Sequence, residues 1–157
     1  MAGLSFVGRA AALGAAAGMR TMSAPAALSR RLAGGGAGPE GGLERLLAHP
    51  AAPWVLGIAS AAEHVADKLP GTPDRTDAGP LTARMASGAL CGAVVARRAG
   101  ESAAAGALVG ALAAAAATFA AYEIRHALTA DAGVPDLPVA LAEDFGAVSL
   151  AEVAARD

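Results

Sequence analysis

The chain is short of the residues that support catalysis, cross-linking and nucleic-acid binding. Cys91 is the only cysteine in 157 residues, which excludes an internal disulfide and a cysteine-based metal cluster within one chain. It stands in Gly88-Ala89-Leu90-Cys91-Gly92, where no neighbour would activate a thiolate, so it reads as a small packing residue. Charge is scarce as well. Asp, Glu, Lys and Arg make up 17% of the chain and sum to a formal −2, so there is no basic surplus to neutralise phosphates and nucleic acid is excluded as a partner. No alternating strand pattern is present, which argues against a sheet or a barrel. There is no Ser/His/Asp order, no nucleophile motif and no metal-ligand spacing, since His49, His64 and His126 are dispersed. Neither an enzyme nor a cofactor nor a metal site is expected.

What the chain has instead is small apolar residues. The hydrophobic fraction is 55% and the mean hydropathy +0.46, outside the usual range of soluble domains. Much of that content is alanine, whose burial yields far less than that of Leu or Phe, so an alanine-rich soluble bundle is the competing reading. Length and uniform composition point to a single domain over residues 1–157. Five stretches are apolar enough for helices in lipid: Leu4 to Met19, Ala51 to Ala66, Ala83 to Ala96, Ala103 to Ala121 and Val139 to Ala155. A full span needs ~20 residues. Only the fourth reaches that length without a charge; the other four carry or abut ionisable groups and should face a bundle interior, tilt, or stop partway. The expected architecture is therefore an all-α polytopic helical membrane bundle of about five short spans. Arg9 followed by the run Ala10 to Ala17 has the outline of a signal peptide, but the run continues into Gly18-Met19-Arg20 and a Ser/Pro turn rather than a cleavage site.

The intervening segments read as turns. Leu32 to Gly42 is a glycine-rich loop around Pro39, and Leu43 to Ala48 is a short amphipathic piece suited to an interface. Pro70 to Pro80 and Thr129 to Pro138 are Pro/Gly/Asp turns. Three small-xxx-small pairs, Gly14 with Gly18, Gly88 with Gly92, and Gly106 with Gly110, each open a groove through which helices approach closely in lipid. None follows a strand or fits a phosphate-binding pattern. Five spans would place Arg30, Arg31 and Arg45 of the first loop on the same side as Arg97 and Arg98 of the third, which marks that side as cytoplasmic, against Lys68, Arg75, Arg84 and Arg125 opposite.

Two acidic groups interrupt the apolar pattern. Glu63 and Asp67 are four residues apart and share a helix face, with His64 and Lys68 beside them. They either hold a cation or proton or lie at headgroup level, closing the helix before Pro70; the headgroup reading suits Lys68 and the functional reading suits Glu63. Glu143-Asp144 lies in the last apolar stretch, where two carboxylates are costly unless paired, wetted, or set in the first turn of a helix beginning near Pro138. Arg20 and Arg125, each closing a small-residue helix, are the natural counter-ions. Gly14 to Arg20 is loosely like Thr118 to Arg125, and Ala62-Glu63 with Asp67 is loosely like Ala142-Glu143-Asp144, which suggests an inverted repeat across the membrane.

In order, Gly14-Ala15-Ala16-Ala17-Gly18-Met19-Arg20, Glu63 with Ala66-Asp67-Lys68-Leu69-Pro70, Pro73 and Arg75, and Glu143-Asp144 resemble the bacterial membrane-protein family known as domain of unknown function 4126. The resemblance covers most of the chain and implies an integral membrane protein, with no activity to carry over. One departure is Thr21-Met22-Ser23-Ala24-Pro25, where the family has a bulkier apolar run after its arginine.

Two functions follow from this reading. The first is a small transporter or channel in the bacterial inner (plasma) membrane, assembled as a homo-oligomer, in which Arg20, Glu63, Asp67, Lys68, Arg125, Glu143 and Asp144 form a polar site for a small ion or a proton. The second is a structural or accessory membrane protein whose charges only tie helices together.

Overall fold

A computed structural model describes residues 5–35, 41–66 and 76–156. Among these the chain is helical throughout: α1 (Phe6–Met19), α2 (Ser23–Gly34), α3 (Gly42–Ala48), α4 (Ala52–Ala66), α5 (Ala78–Arg98), α6 (Ala103–His126), which runs on into a π-helical turn at Ala127–Asp131, and α7 (Asp136–Ala154). Alanine-rich sequence favours the helical backbone, and local signals set its limits. The hydroxyls of Ser5 and Ser102 accept from the amides of Gly8 (3.2 Å) and Ala105 (3.3 Å), capping α1 and α6. Helix α5 ends at Gly100, whose φ of 74° supplies the left-handed residue that turns the chain out of the helix.

The core is a seam of glycines. Helices α1, α5 and α6 pack mutually, and all three glycine pairs meet there: Gly14 and Gly18 of α1 abut Gly110 and Ala114 of α6, while Gly88 and Gly92 of α5 abut Gly110 and Gly106. A methyl group at any of the six would fall inside van der Waals contact of a facing backbone carbonyl. Alanines 10, 16, 17, 96 and 114 are fully buried around them, with Leu13 and Cys91.

Chain direction follows from the contacts between ends. Arg9, early in α1, donates to the carbonyls of Ala154 (3.2 Å) and Ala155 (3.4 Å) at the end of α7, and Arg20, just past the other end of α1, pairs with Asp144. Arg30, late in α2, pairs with Glu152. Helix α2 therefore returns toward the end from which α1 set out, and the two form a hairpin whose tip is Arg20-Thr21-Met22. Arg9, Arg30, Arg31, Arg45, Arg97, Arg98 and Arg156 consequently gather at one end of the bundle.

Three expectations change. Residues 23–34 form a helix, not a turn leading into a loop; Pro25 is tolerated because it sits in the first turn, where no intrahelical amide is needed. The glycine-rich loop shrinks accordingly, since Leu32 to Gly34 belong to α2 and Gly42 opens α3. Helices α1 and α6, paired by the expected inverted repeat, run parallel, as Gly14 beside Gly110 and Gly18 beside Ala114 require; α2 adds a reversal that the five-stretch count lacked.

Helix α6 with its π-helical extension, Ala103–Asp131, is the one helix among the described residues that is long and apolar enough to cross a membrane. Large apolar side chains point outward most densely from α4 (Trp54, Val55 and Ile58), α6 (Leu108, Leu112, Phe119 and Ile124) and α7 (Leu137, Leu141, Phe145, Val148 and Val153).

Candidate functional site at a buried helix break

The tip of the α1–α2 hairpin exposes backbone groups that no helix satisfies, and it lies inside the protein. Arg20 is extended (φ −142°, ψ 114°) and only 1% exposed. Such a break must find partners for its orphan carbonyls and amides. On the carbonyl side, Arg84 of α5 donates from Nη1 to the oxygens of Gly18 (2.6 Å) and Met19 (2.8 Å). The Thr118 hydroxyl of α6 shares its proton between Gly18 (3.0 Å) and Ala114 (2.8 Å). Ser23 donates to Arg20 (2.8 Å) and Ala16 (3.2 Å), and Ser87 to Thr21 (2.6 Å). On the amide side, the Glu63 carboxylate accepts from Thr21 (2.7 Å) and Met22 (2.9 Å).

Cation and anion are thus matched to the ends of the break. Arg84 faces the C-terminal, partially negative end of α1 and Glu63 faces the N-terminal, partially positive end of α2, as the helix dipoles favour. Beside them a cavity of about 390 Å³ is lined by Thr21, Met22, Glu63, Pro80 and Arg84. A larger apolar cleft of about 570 Å³, with His49 on its wall, reaches the same Thr21 and Met22 from between α3, α4 and α5.

The remaining acidic residues sit on α7. Asp144 turns inward to the buried Arg20, and the pair is nearly sealed, with side chains 1% and 12% exposed. Glu143 turns the other way, 3.7 Å from Arg125, whose guanidinium is held more tightly by Asp136 (2.8 and 2.7 Å). A third cavity, also about 390 Å³, is lined by Met19, Arg125 and Glu143. Arg20, Glu63 and Asp144 therefore bear directly on the hairpin tip, whereas Arg125 and Glu143 meet beside Met19, where Glu143 is itself largely buried, its side chain 9% exposed. Asp67 and Lys68 lie outside the described residues.

Arg84, Thr118, Ser23 and Ser87 carry no motif that marks them in the sequence, where Arg84 reads only as a charge at a helix end. A usable signal existed: Arg84, Gly88 and Gly92 repeat every fourth residue, as do Gly106, Gly110, Ala114 and Thr118, so each polar residue continues a glycine face into the seam. Asp136, within the stretch that reads as a turn, stands in the first turn of α7.

The hairpin tip lies level with Thr118, the midpoint of the long apolar helix. No curated protein and no solved structure matches the chain. Residues 7–156 match the model of the domain of unknown function DUF4126, and the chain belongs to that family.

Proposed function

We propose that the chain is an integral protein of the bacterial inner membrane, with its arginine-rich end in the cytoplasm, and that it passes a small ion or a proton at the break between α1 and α2. The membrane reading is supported by an inverted distribution of polarity. Large apolar side chains on α4, α6 and α7 face outward, while Arg20, Arg84, Thr118 and Asp144 face inward. Water offers no reason for that arrangement and lipid does. Helices α1 and α2, at 14 and 12 residues, are too short for a ~30 Å hydrocarbon core at ~1.5 Å per residue, which suits a re-entrant hairpin turning at mid-depth. Irregular backbone at that depth requires burial or a wetted cavity.

The observation that carries the transport reading is the cavity beside Glu63 and Arg84. A sealed ion-pair network needs no opening, whereas the carboxylate and the guanidinium that hold this break both line a cavity. A proton or small cation arriving at Glu63 competes with the Thr21 and Met22 amides for the same carboxylate, so occupancy is coupled to the order of the hairpin tip. The second reading, a structural role, fits Arg20–Asp144, which is buried away from that opening.

Reconstitution into liposomes separates the two. With transport, an ion or proton gradient drives a flux in the native protein that Glu63→Gln abolishes, while the variant stays folded and monodisperse in detergent. A native protein that leaves the liposomes as tight as empty ones to protons, alkali cations and halides sinks the transport reading.

A further inference from the structure

We infer that the arginine-rich end holds a site for a phosphate group, a site separate from the helix break. A cavity of about 190 Å³ opens there, walled by Arg9 of α1, Arg30 and Arg31 of α2, and Arg98 of α5, over an apolar floor that includes Leu28 and Leu32. Four arginines from three helices line a space of that size. Two of them are paired with carboxylates, Arg30 with Glu152 and Arg98 with Glu44 (2.6 Å), which sets their positions and offsets their charge. Arg9 is anchored on the Ala154 and Ala155 carbonyls. Arg31 is exposed and makes no ion pair among the described residues. Among the described residues, Arg31 is therefore the arginine of this wall best placed to meet an incoming anion.

The class of ligand follows from geometry. A planar carboxylate is satisfied by one or two guanidinium forks, whereas a phosphate presents oxygens in tetrahedral directions and accepts from several forks at once. Donors arriving from α1, α2 and α5 match the second. The volume accommodates a phosphate group with part of its ester substituent. Two sources supply that chemistry: the headgroup of an anionic phospholipid, which suits the cytoplasmic leaflet, and free inorganic phosphate.

The test is thermal unfolding of the full chain in an uncharged detergent at fixed ionic strength. The titrants are phosphatidylglycerol, phosphatidylcholine, whose choline the arginines repel, and inorganic phosphate. The variants are Arg31→Gln and, as control, Arg45→Gln, an exposed arginine at the same end that does not line the cavity. We expect saturable stabilisation by phosphatidylglycerol and not by phosphatidylcholine, with apparent affinity falling roughly tenfold in Arg31→Gln and unchanged in Arg45→Gln. The same variant pattern with inorganic phosphate, and none with the lipid, assigns the site to the free anion. Absence of a saturable shift with both titrants overturns the site, and so does an equal loss in the two variants, which would mark a diffuse charge effect.

Discussion

Glu63 of α4 caps α2, two helices before its own: its carboxylate oxygens accept from the amides of Thr21 and Met22, 42 and 41 positions earlier in the chain. The cap fixes where α2 starts, and it commits an ionisable group to holding backbone in place. Glu63→Ala should cost about 1 kcal/mol, the usual loss for an N-cap, and Glu63→Gln less, because an acceptor oxygen is kept. Amide hydrogen exchange at Thr21 and Met22 reads this directly: it should accelerate in the alanine variant ahead of exchange in α5 or α6. Uniform acceleration across all helices would show that Glu63 supports the whole bundle and not the break.

Arg20 and Arg125 have the same charge and similar sequence settings, yet their removal should differ. Arg20→Gln leaves Asp144 buried without its counter-ion, and losses of about 3 to 5 kcal/mol are typical of such half-removed pairs. Arg125→Gln disturbs a tight pair with Asp136, whose side chain is 63% exposed, and a looser contact of 3.7 Å with Glu143, and should cost less than Arg20→Gln does. Joint replacement by Arg20→Met and Asp144→Leu should recover most of the stability lost in Arg20→Gln. Comparable losses for Arg20→Gln and Arg125→Gln in denaturant titrations would contradict this assignment.

The sequence made much of this legible, and the reason is periodicity. The five apolar stretches correspond to α1, α4, α5, α6 and α7, the piece Leu43 to Ala48 is α3, and the glycine pairs meet in one seam. Helix α2 escaped because Ser23, Pro25, Ser29, Arg30 and Arg31 give it the composition of a turn. It is buried all the same, since serines can be satisfied inside: Ser29 donates to Ala26 at 2.9 Å. Partner choice was legible only in part. That Arg20 and Arg125 would neutralise acidic residues could be anticipated, but adjacent carboxylates point about 100° apart on a helix, which divides Glu143 from Asp144 in a way that no linear reading displays.

Arg84 tests whether the break depends on its cation. Replacement by Met leaves the Met19 carbonyl without the 2.8 Å donor it has now, a loss of about 1 to 3 kcal/mol for a buried polar group. Gly18 retains Thr118. Combining Arg84→Met with Thr118→Val should therefore cost more than the two single changes added together, because only the double variant strips both donors from Gly18. Strict additivity would show that the two residues do not share that carbonyl in solution.

Bulk in the seam should be tolerated worst at Gly110, which is approached by Gly14 from α1 and by Gly88 from α5. We expect Gly110→Leu to prevent assembly or to cost more than the ~1 to 3 kcal/mol of ordinary overpacking. Cys91→Ala, also fully buried, removes volume without forcing backbones apart and should cost about 1 kcal/mol. Size-exclusion profiles in detergent compare the two; a normal profile for Gly110→Leu would mean that α6 does not pack in this way.

That seam also decides which parts of the protein are able to move. Where α1, α5 and α6 meet at the glycine pairs, backbone touches backbone with nothing larger than an alanine methyl beside it, so there are few rotamers to exchange and little alternative interdigitation to slide into. Those three helices behave as a fixed axle. Helix α4 is not part of the seam, and it carries Glu63 to the hairpin tip. A working cycle built on this framework would hinge α4 and the start of α2 against the axle, and distance changes would appear between labels on α4 and α5 while labels on α5 and α6 kept their spacing.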